Sequence, residues 1–172
     1  RELLAINRAI TSTLDQEELL GLVVEKALEF SGAEACALLL AGNDNRTTVA
    51  AQQGLDEARA ASFAAPFDER INAELRRLFA YGHEDGFLAV PVVRNGAVQG
   101  LLAIHGAQDG WDDPEFRSIL TALADQAAIA LEHAGRYREM WQESRRAQEA
   151  LESASRHKDE FLAMLAHELR NP

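Results

Sequence analysis

The sequence predicts an α+β chain, an antiparallel sheet flanked by helices and followed by one long coiled-coil helix. Three observations predict it. Two pairs of short apolar runs are each joined by turn residues, Gly42-Asn43-Asp44-Asn45 in one and Arg94-Asn95-Gly96 in the other, which marks hairpins. Helical spacing precedes and separates the pairs. After Asp113-Pro114 no proline recurs until Pro172, and the one glycine is Gly135.

Taken in order, Leu3, Leu4, Ile6, Ile10 and Leu14 suit a first helix. Asp15 then caps a second, with Leu19, Leu22, Val23, Leu28 and Phe30 on one broad face and Gly32 as its stop. Ala35 to Ala41 reads as a buried strand, and Thr47 to Gln52 as its hairpin partner. The Ala-rich stretch from Gly54 to Ala65 carries no clear period. Asp68 to Phe79 is helical, with Ile71, Leu75 and Leu78 on one face. Phe87 to Val93 and Ala97 to His105 form the second hairpin. Asn95-Gly96 supplies the positive φ at both central residues that a type I′ turn needs. Pro91 lacks a ladder donor, so its strand belongs at an edge or an irregular spot. Gly106 to Trp111 is a loop. Asp113 caps the last helix and Pro114 takes its first position.

That last helix, about 57 residues and roughly 85 Å long at the usual rise per residue, carries a repeating apolar seam. Phe116, Leu120, Leu123, Ala127, Ala130, Ala134, Tyr137, Trp141, Ser144, Gln148, Leu151, Ser155, Lys158, Leu162, Leu165 and Leu169 alternate steps of four and three, as in a two-stranded coiled coil. The expectation is a parallel homodimer whose centre, weakened by Ser144, Gln148, Ser155 and Lys158, can change packing.

Composition narrows the function classes. With 17 basic against 28 acidic residues the net charge is −11, which argues against a nucleic-acid partner, since that would need a basic face. Cys36 is the one cysteine, so no internal disulfide forms and a reducing, cytoplasmic compartment fits. No apolar run approaches the roughly 20 residues of a membrane span. Both ends read as cut, Arg1 in place of Met and Pro172 in mid-motif, so membrane attachment through upstream sequence stays open.

Three segments carry a family resemblance: Leu14-Asp15-Gln16-Glu17-Glu18-Leu19-Leu20; Val90-Pro91-Val92 with Gly96 and Gly100-Leu101-Leu102-Ala103-Ile104; and Leu123-Ala124-Asp125-Gln126-Ala127-Ala128-Ile129-Ala130-Leu131-Glu132. In order and spacing they resemble the GAF family of small-molecule sensor domains, over residues 1–135. The resemblance implies a GAF-like antiparallel sheet flanked by helices. A coiled-coil signalling helix over 136–156 follows. The final run, 157–172, is His157-Lys158-Asp159-Glu160-Phe161-Leu162-Ala163-Met164-Leu165-Ala166-His167-Glu168-Leu169-Arg170-Asn171-Pro172, which resembles the H-box of sensor histidine kinases. That resemblance implies the first helix of a dimeric four-helix bundle, with His167 as phosphoacceptor and Glu168 as its acid–base partner. It gives Asn171 a role in the phosphatase reaction and makes Pro172 the helix-bending proline. It further implies ATP, bound by a kinase domain absent from this chain, and the receiver domain of a response regulator as partner.

The heptad arithmetic agrees with the resemblance. With Leu162 and Leu169 at position a and Leu165 at d, His167 falls at f, furthest from a partner helix. A nucleophilic imidazole must be reachable, and near neutral pH much of it is uncharged. Glu168 can accept a hydrogen bond from one ring nitrogen and leave the other to attack. Phe161 and Met164, at g and c, suggest a second packed helix. A zinc-protease reading fails, because Asn171 stands where the helical motif needs a second histidine. No glycine-rich nucleotide loop follows Asn171, so the chain reads as a substrate without its kinase domain.

The sensed ligand stays open. Some GAF relatives attach bilins to a cysteine, but Cys36 falls in a predicted core strand and reads as structural. The Asn-Lys-Phe-Asp-Glu set of cyclic-nucleotide-binding relatives is missing. Haem would need an axial ligand, and only His83 and His105 are placed to supply one. His83 reads as a solvated loop residue, and His105 as a strand-end residue bonded to backbone. A non-covalent small ligand, or none, remains. The alternative to the kinase reading is a non-catalytic GAF module for ligand binding or dimerisation.

Overall fold

The computed structural model describes residues 2–79, 86–107 and 110–170, with residues 2–15 described by their backbone alone. The order is α1 (Glu2–Ser31), β1 (Ala35–Ala41), β2 (Arg46–Gln53), α2 (Glu57–Ser62), β3 (Ala65–Pro66), α3 (Ile71–Phe79), β4 (Phe87–Arg94), β5 (Ala97–His105) and α4 (Pro114–Arg170). Five strands form one antiparallel sheet in the order β3-β2-β1-β5-β4. Helices cover both faces, the GAF-like α+β arrangement expected.

Local chemistry sets the turns. Asn95 and Gly96 take φ of 52° and 76°, so the β4–β5 hairpin closes through the left-handed residues that Asn-Gly accepts. In the β1–β2 turn, Asn45 takes φ 59° and the Asp44 carboxylate accepts from the Arg46 N–H at 3.1 Å. Pro91 sits on β4, an edge strand, where a missing ladder donor does least harm. Gly100 lies in β5 opposite Leu40 and Val92, and a Cβ there would run into the Leu39 carbonyl oxygen. The helix starts are capped as well. Asp113 accepts from the Glu115 N–H at 3.0 Å ahead of Pro114, and Asp56 accepts from the Arg59 N–H at 2.9 Å.

Strand alternation sends side chains to two cores. Cys36, Leu38, Val90, Val92, Leu102 and Ile104 pack under α1 and α4, against Val24, Ala27, Leu120, Ala124 and Ala127. Ala35, Ala37, Leu39 and Ala103 face the other way, under Ile71, Leu75 and Leu78 of α3. The end of α1 is joined to the start of α4 by aromatic rings. Phe116 stacks on Phe30 with centroids 5.0 Å apart and on Trp111 at 6.2 Å. The Trp111 indole N–H donates to the Ser31 carbonyl at 3.4 Å.

Three expectations are corrected, and one open stretch is filled in. The two opening helices are one, α1, running through Asp15. No proline interrupts Glu2–Ser31, and Thr11-Ser12-Thr13 costs only tenths of a kcal/mol per residue in helix propensity. The buried face of α1 is turned by one residue: Leu20, Val23, Val24 and Ala27 are inside, while Leu19 and Leu22 are 48% and 47% exposed and Phe30 is exposed too. The stretch from Gly54 to Ala65 resolves into α2 and the start of a two-residue strand, β3. The apolar seam of α4 serves two surfaces, because Leu120, Ala127, Ala130 and Ala134 are buried within the chain. From residue 136 onward α4 is exposed along its described length, with Trp141 half-buried. The chain divides into a compact unit, Thr11–Ala134, and a second unit of Arg1–Ile10 with Gly135–Pro172.

Candidate functional site

Two places bear on function. The first is the last turns of α4, where His167 and Glu168 are consecutive, exposed residues of an unbroken helix. Leu162, Leu165 and Leu169 are exposed as well, at 51%, 37% and 85%, so in the single chain the predicted seam faces water. Asn171 and Pro172 lie outside the described residues. His157 differs from His167 in its surroundings. Its Nδ1 is 3.0 Å from the Ser153 carbonyl oxygen, a contact that is a hydrogen bond in the tautomer with the proton on Nδ1. About three turns before His157, Arg145 lies over the Trp141 ring, 5.4 Å from its centroid, and pairs with Glu149 at 3.1 Å.

The second place is the α3 face of the sheet. Its middle row is small, with Ala37 opposite Ala103 and Ala103 opposite Ala89. Leu75 of α3 is fully buried over this face. Among the described residues, two buried polar atoms on it have no hydrogen-bond partner, Thr47 Oγ1 and His105 Nε2, although buried polar groups are normally paired. For His105 this corrects the expectation of a bond to backbone. Its ring lies 6.1 Å from that of Phe79, and Phe87, beside it in register, takes the Arg76 guanidinium over its face at 5.0 Å. Thr47 is fully buried at the other end of β1, opposite Ala41 and Ala65. Nothing in the sequence singled out Thr47, since threonine in a strand is ordinary. His83 lies outside the described residues.

Cys36 is fully buried on the opposite face, and burial pushes its thiol up from 9.0 to about 12. A thiol kept protonated is a poor nucleophile. Among the described residues no group of three or more His, Cys, Asp or Glu is placed to hold a metal ion, and no helix is long and apolar enough to cross a membrane.

Residues 15–131 match the GAF domain family model. Over 99 residues the chain is 32% identical to the circadian input-output histidine kinase CikA of Synechococcus elongatus, a match covering 48% of this chain and 13% of that relative. Among solved structures it resembles the GAF domain of an Acinetobacter phosphoenolpyruvate-protein phosphotransferase (19% identity, 78% of this chain and 95% of that one, TM-score 0.57). It also resembles the second GAF domain of DevS from Mycobacterium smegmatis (23%, 73% and 99%, TM-score 0.55) and residues 122 to 287 of a methyl-accepting chemotaxis protein (20%, 76% and 96%, TM-score 0.55). At these identities the structural likeness speaks for the fold, which hosts several functions.

Proposed function

The chain belongs to the GAF domain family, and from that premise we propose that it is the sensory and phosphoacceptor part of a two-component sensor histidine kinase. The observation that carries this is the run from His157 to Pro172, which follows a GAF domain on one helix and has His167 exposed near its end. Similarity to a histidine kinase over about half of the chain supports it. In this reading the sheet domain receives a signal, α4 transmits it as half of a parallel homodimer, and His167 takes a phosphoryl group. One imidazole nitrogen attacks the γ-phosphorus of ATP held by a separate kinase domain. An N–P bond forms, the bond to the ADP oxygen breaks, and the ring proton on the other nitrogen is held by Glu168. The phosphoryl group then passes to the receiver domain of a response regulator, and Asn171 serves its later removal.

For the signal, the α3 face is the proposed entry. A small molecule with hydrogen-bonding groups would satisfy His105 Nε2 or Thr47 Oγ1, and it would have to displace Leu75 or its neighbours to reach the alanine row. A second reading, a GAF module that only binds or dimerises, draws on the same fold in a phosphotransferase and a chemotaxis protein.

The test is phosphorylation in trans. The chain is mixed with a histidine kinase catalytic domain and γ-labelled ATP. Acid-labile, base-stable label is expected, absent from His167→Gln and slowed roughly 10²-fold or more in Glu168→Ala, the usual effect of losing a positioned base. Label that survives in His167→Gln would move the site elsewhere, and no label with any catalytic domain would favour the second reading.

A further inference from the structure

Trp111 is buried where three separate pieces of the compact unit meet. Its indole N–H donates to the carbonyl of Ser31, the last residue of α1, which lies 80 residues back in the chain. Its ring stacks on Phe116 in the first turn of α4. The far edge of the ring lies beside two glycines at the end of the sheet. A Cβ on Gly86 would stand 3.4 Å from Cζ3 of Trp111, and one on Gly106 would stand 3.4 Å from Cη2. The glycines hold each other closely, since the Gly106 N–H donates to the Gly86 carbonyl at 2.9 Å and a Cβ on Gly86 would run into the Gly106 carbonyl oxygen.

The same stretch of backbone carries the rings of the α3 face. His105 precedes Gly106, Phe87 follows Gly86, and the two are partners in register. Both rings meet Phe79 of α3, and His105 Nε2 is one of the two orphaned atoms there. The His105 carbonyl is tied to the Glu34 N–H at 2.8 Å. Planar peptides and paired bonds leave little freedom for one glycine to move without the other. A shift of His105 and Phe87 on the α3 side is thus felt by Trp111 on the α1 and α4 side. The link to α1 is the weak member. At 3.4 Å the indole bond is longer than the usual range of about 2.7–3.2 Å, and Phe30, which stacks on Phe116, is exposed.

We propose that Trp111 is the positioning residue through which a change on the α3 face reaches α4. This rests on the reading of that face as the entry for the signal, and adds the route and the residue that carries it. A ligand that engages His105 moves His105 and Phe87, and the glycine pair moves with them. Trp111 then leaves the Ser31 carbonyl and carries Phe116 along, at the start of the helix that bears His167. Coupling needs an element with two arrangements, and here they are the indole N–H on and off Ser31.

Amide hydrogen exchange of the whole chain tests this with no ligand and no phosphorylation, so its outcome is separate from theirs. Exchange at 28–32 and at 118–124 is read relative to β1, the central strand, which reports global opening. His105→Ala disturbs the α3 face and is expected to speed exchange at 118–124 about fivefold over β1, the low end of ordinary couplings. Phe67→Ala, which loosens the same core near the β1–β2 turn, is expected to leave that ratio unchanged. Combined with Trp111→Leu, His105→Ala should add less than about twofold, because contacts in series are not additive. Trp111→Phe keeps a ring and loses the donor, so it should speed exchange at 28–32 alone and leave 118–124 responsive to His105→Ala. A response to His105→Ala that is the same with and without Trp111, or that Phe67→Ala matches, would overturn the proposal and leave the ligand reading standing. Should Trp111→Leu fail to fold, Trp111→Phe decides: equal acceleration at 28–32, 118–124 and β1 would mark Trp111 as a core residue and nothing more.

Discussion

Cys36 shows how burial alone sets the chemistry of a side chain. Burial pushes the folded thiol up from an ordinary 9.0 to about 12, so the folded state holds its proton more tightly than the unfolded chain does. The stability involved is therefore intact below pH 9 and is lost as pH rises from 9 towards 12. Cys36→Ala should flatten the alkaline limb of the melting temperature against pH, measured relative to the native chain. In the native protein the thiol should stay unreactive towards a disulfide reagent at pH 8 until denaturant is added. Fast native-state labelling would mean that the strand opens. At this scale the sequence was a good guide where a residue acts on its own neighbours. Asn95, Gly96 and Asp113 do what their types predict because turn and cap bonds reach only two or three residues. Leu19 and Leu20 are the contrary case. Both are leucines in one helix, and only the sheet beneath decides which is buried. His105 and Thr47 were illegible in the same way, because an orphaned polar atom is a property of its surroundings.

Among the elements, α3 is the one on which the proposed signal depends. It is nine residues long, and it holds the α3 face of the sheet through Ile71, Leu75, Leu78 and Phe79. A helix that short is marginal by itself, so its packing must hold it. Leu75→Ala removes a fully buried side chain and should cost about 2–5 kcal/mol by the usual range for such truncations, read from the urea midpoint. It would also open space over Ala37 and Ala103. If that face admits a ligand, a small apolar fluorophore should bind the variant better than the parent below the unfolding transition. Equal binding would argue that the face repacks and stays closed. The existence of α3 was legible from its spacing. The α1 boundary was not, since Asp15 looks like a cap in sequence and nothing local reveals that the helix before it continues.

At the scale of the whole chain, the long helix has one job in the core and a second that is proposed, and one apolar pattern concealed the division. Its first third completes the core under the sheet, where Leu120, Ala124 and Ala127 meet Val24 and Ala27. The sequence showed a seam without a break because both jobs call for apolar residues at nearly the same spacing, and 3.5 and 3.6 differ too little over two heptads to be told apart by eye. The buried side chains of α4 end at Ala134, and the compact unit ends there too. A chain of residues 11–134 should therefore fold cooperatively by itself, since no residue of the two described cores lies beyond it. Its thermal unfolding should remain a single transition, and its far-ultraviolet circular dichroism should fall by the helix removed. Loss of a cooperative transition in 11–134 would mean that residues 2–10 or 135–170 contribute stability to the domain, and the two units would then have to be treated as one folding unit. If the shorter chain folds and is monomeric where the whole chain is dimeric, the energy of association resides chiefly in α4 beyond Ala134. If it folds and remains dimeric, exposed residues of the compact unit, Ile119 and Ile129 among them, suffice for association.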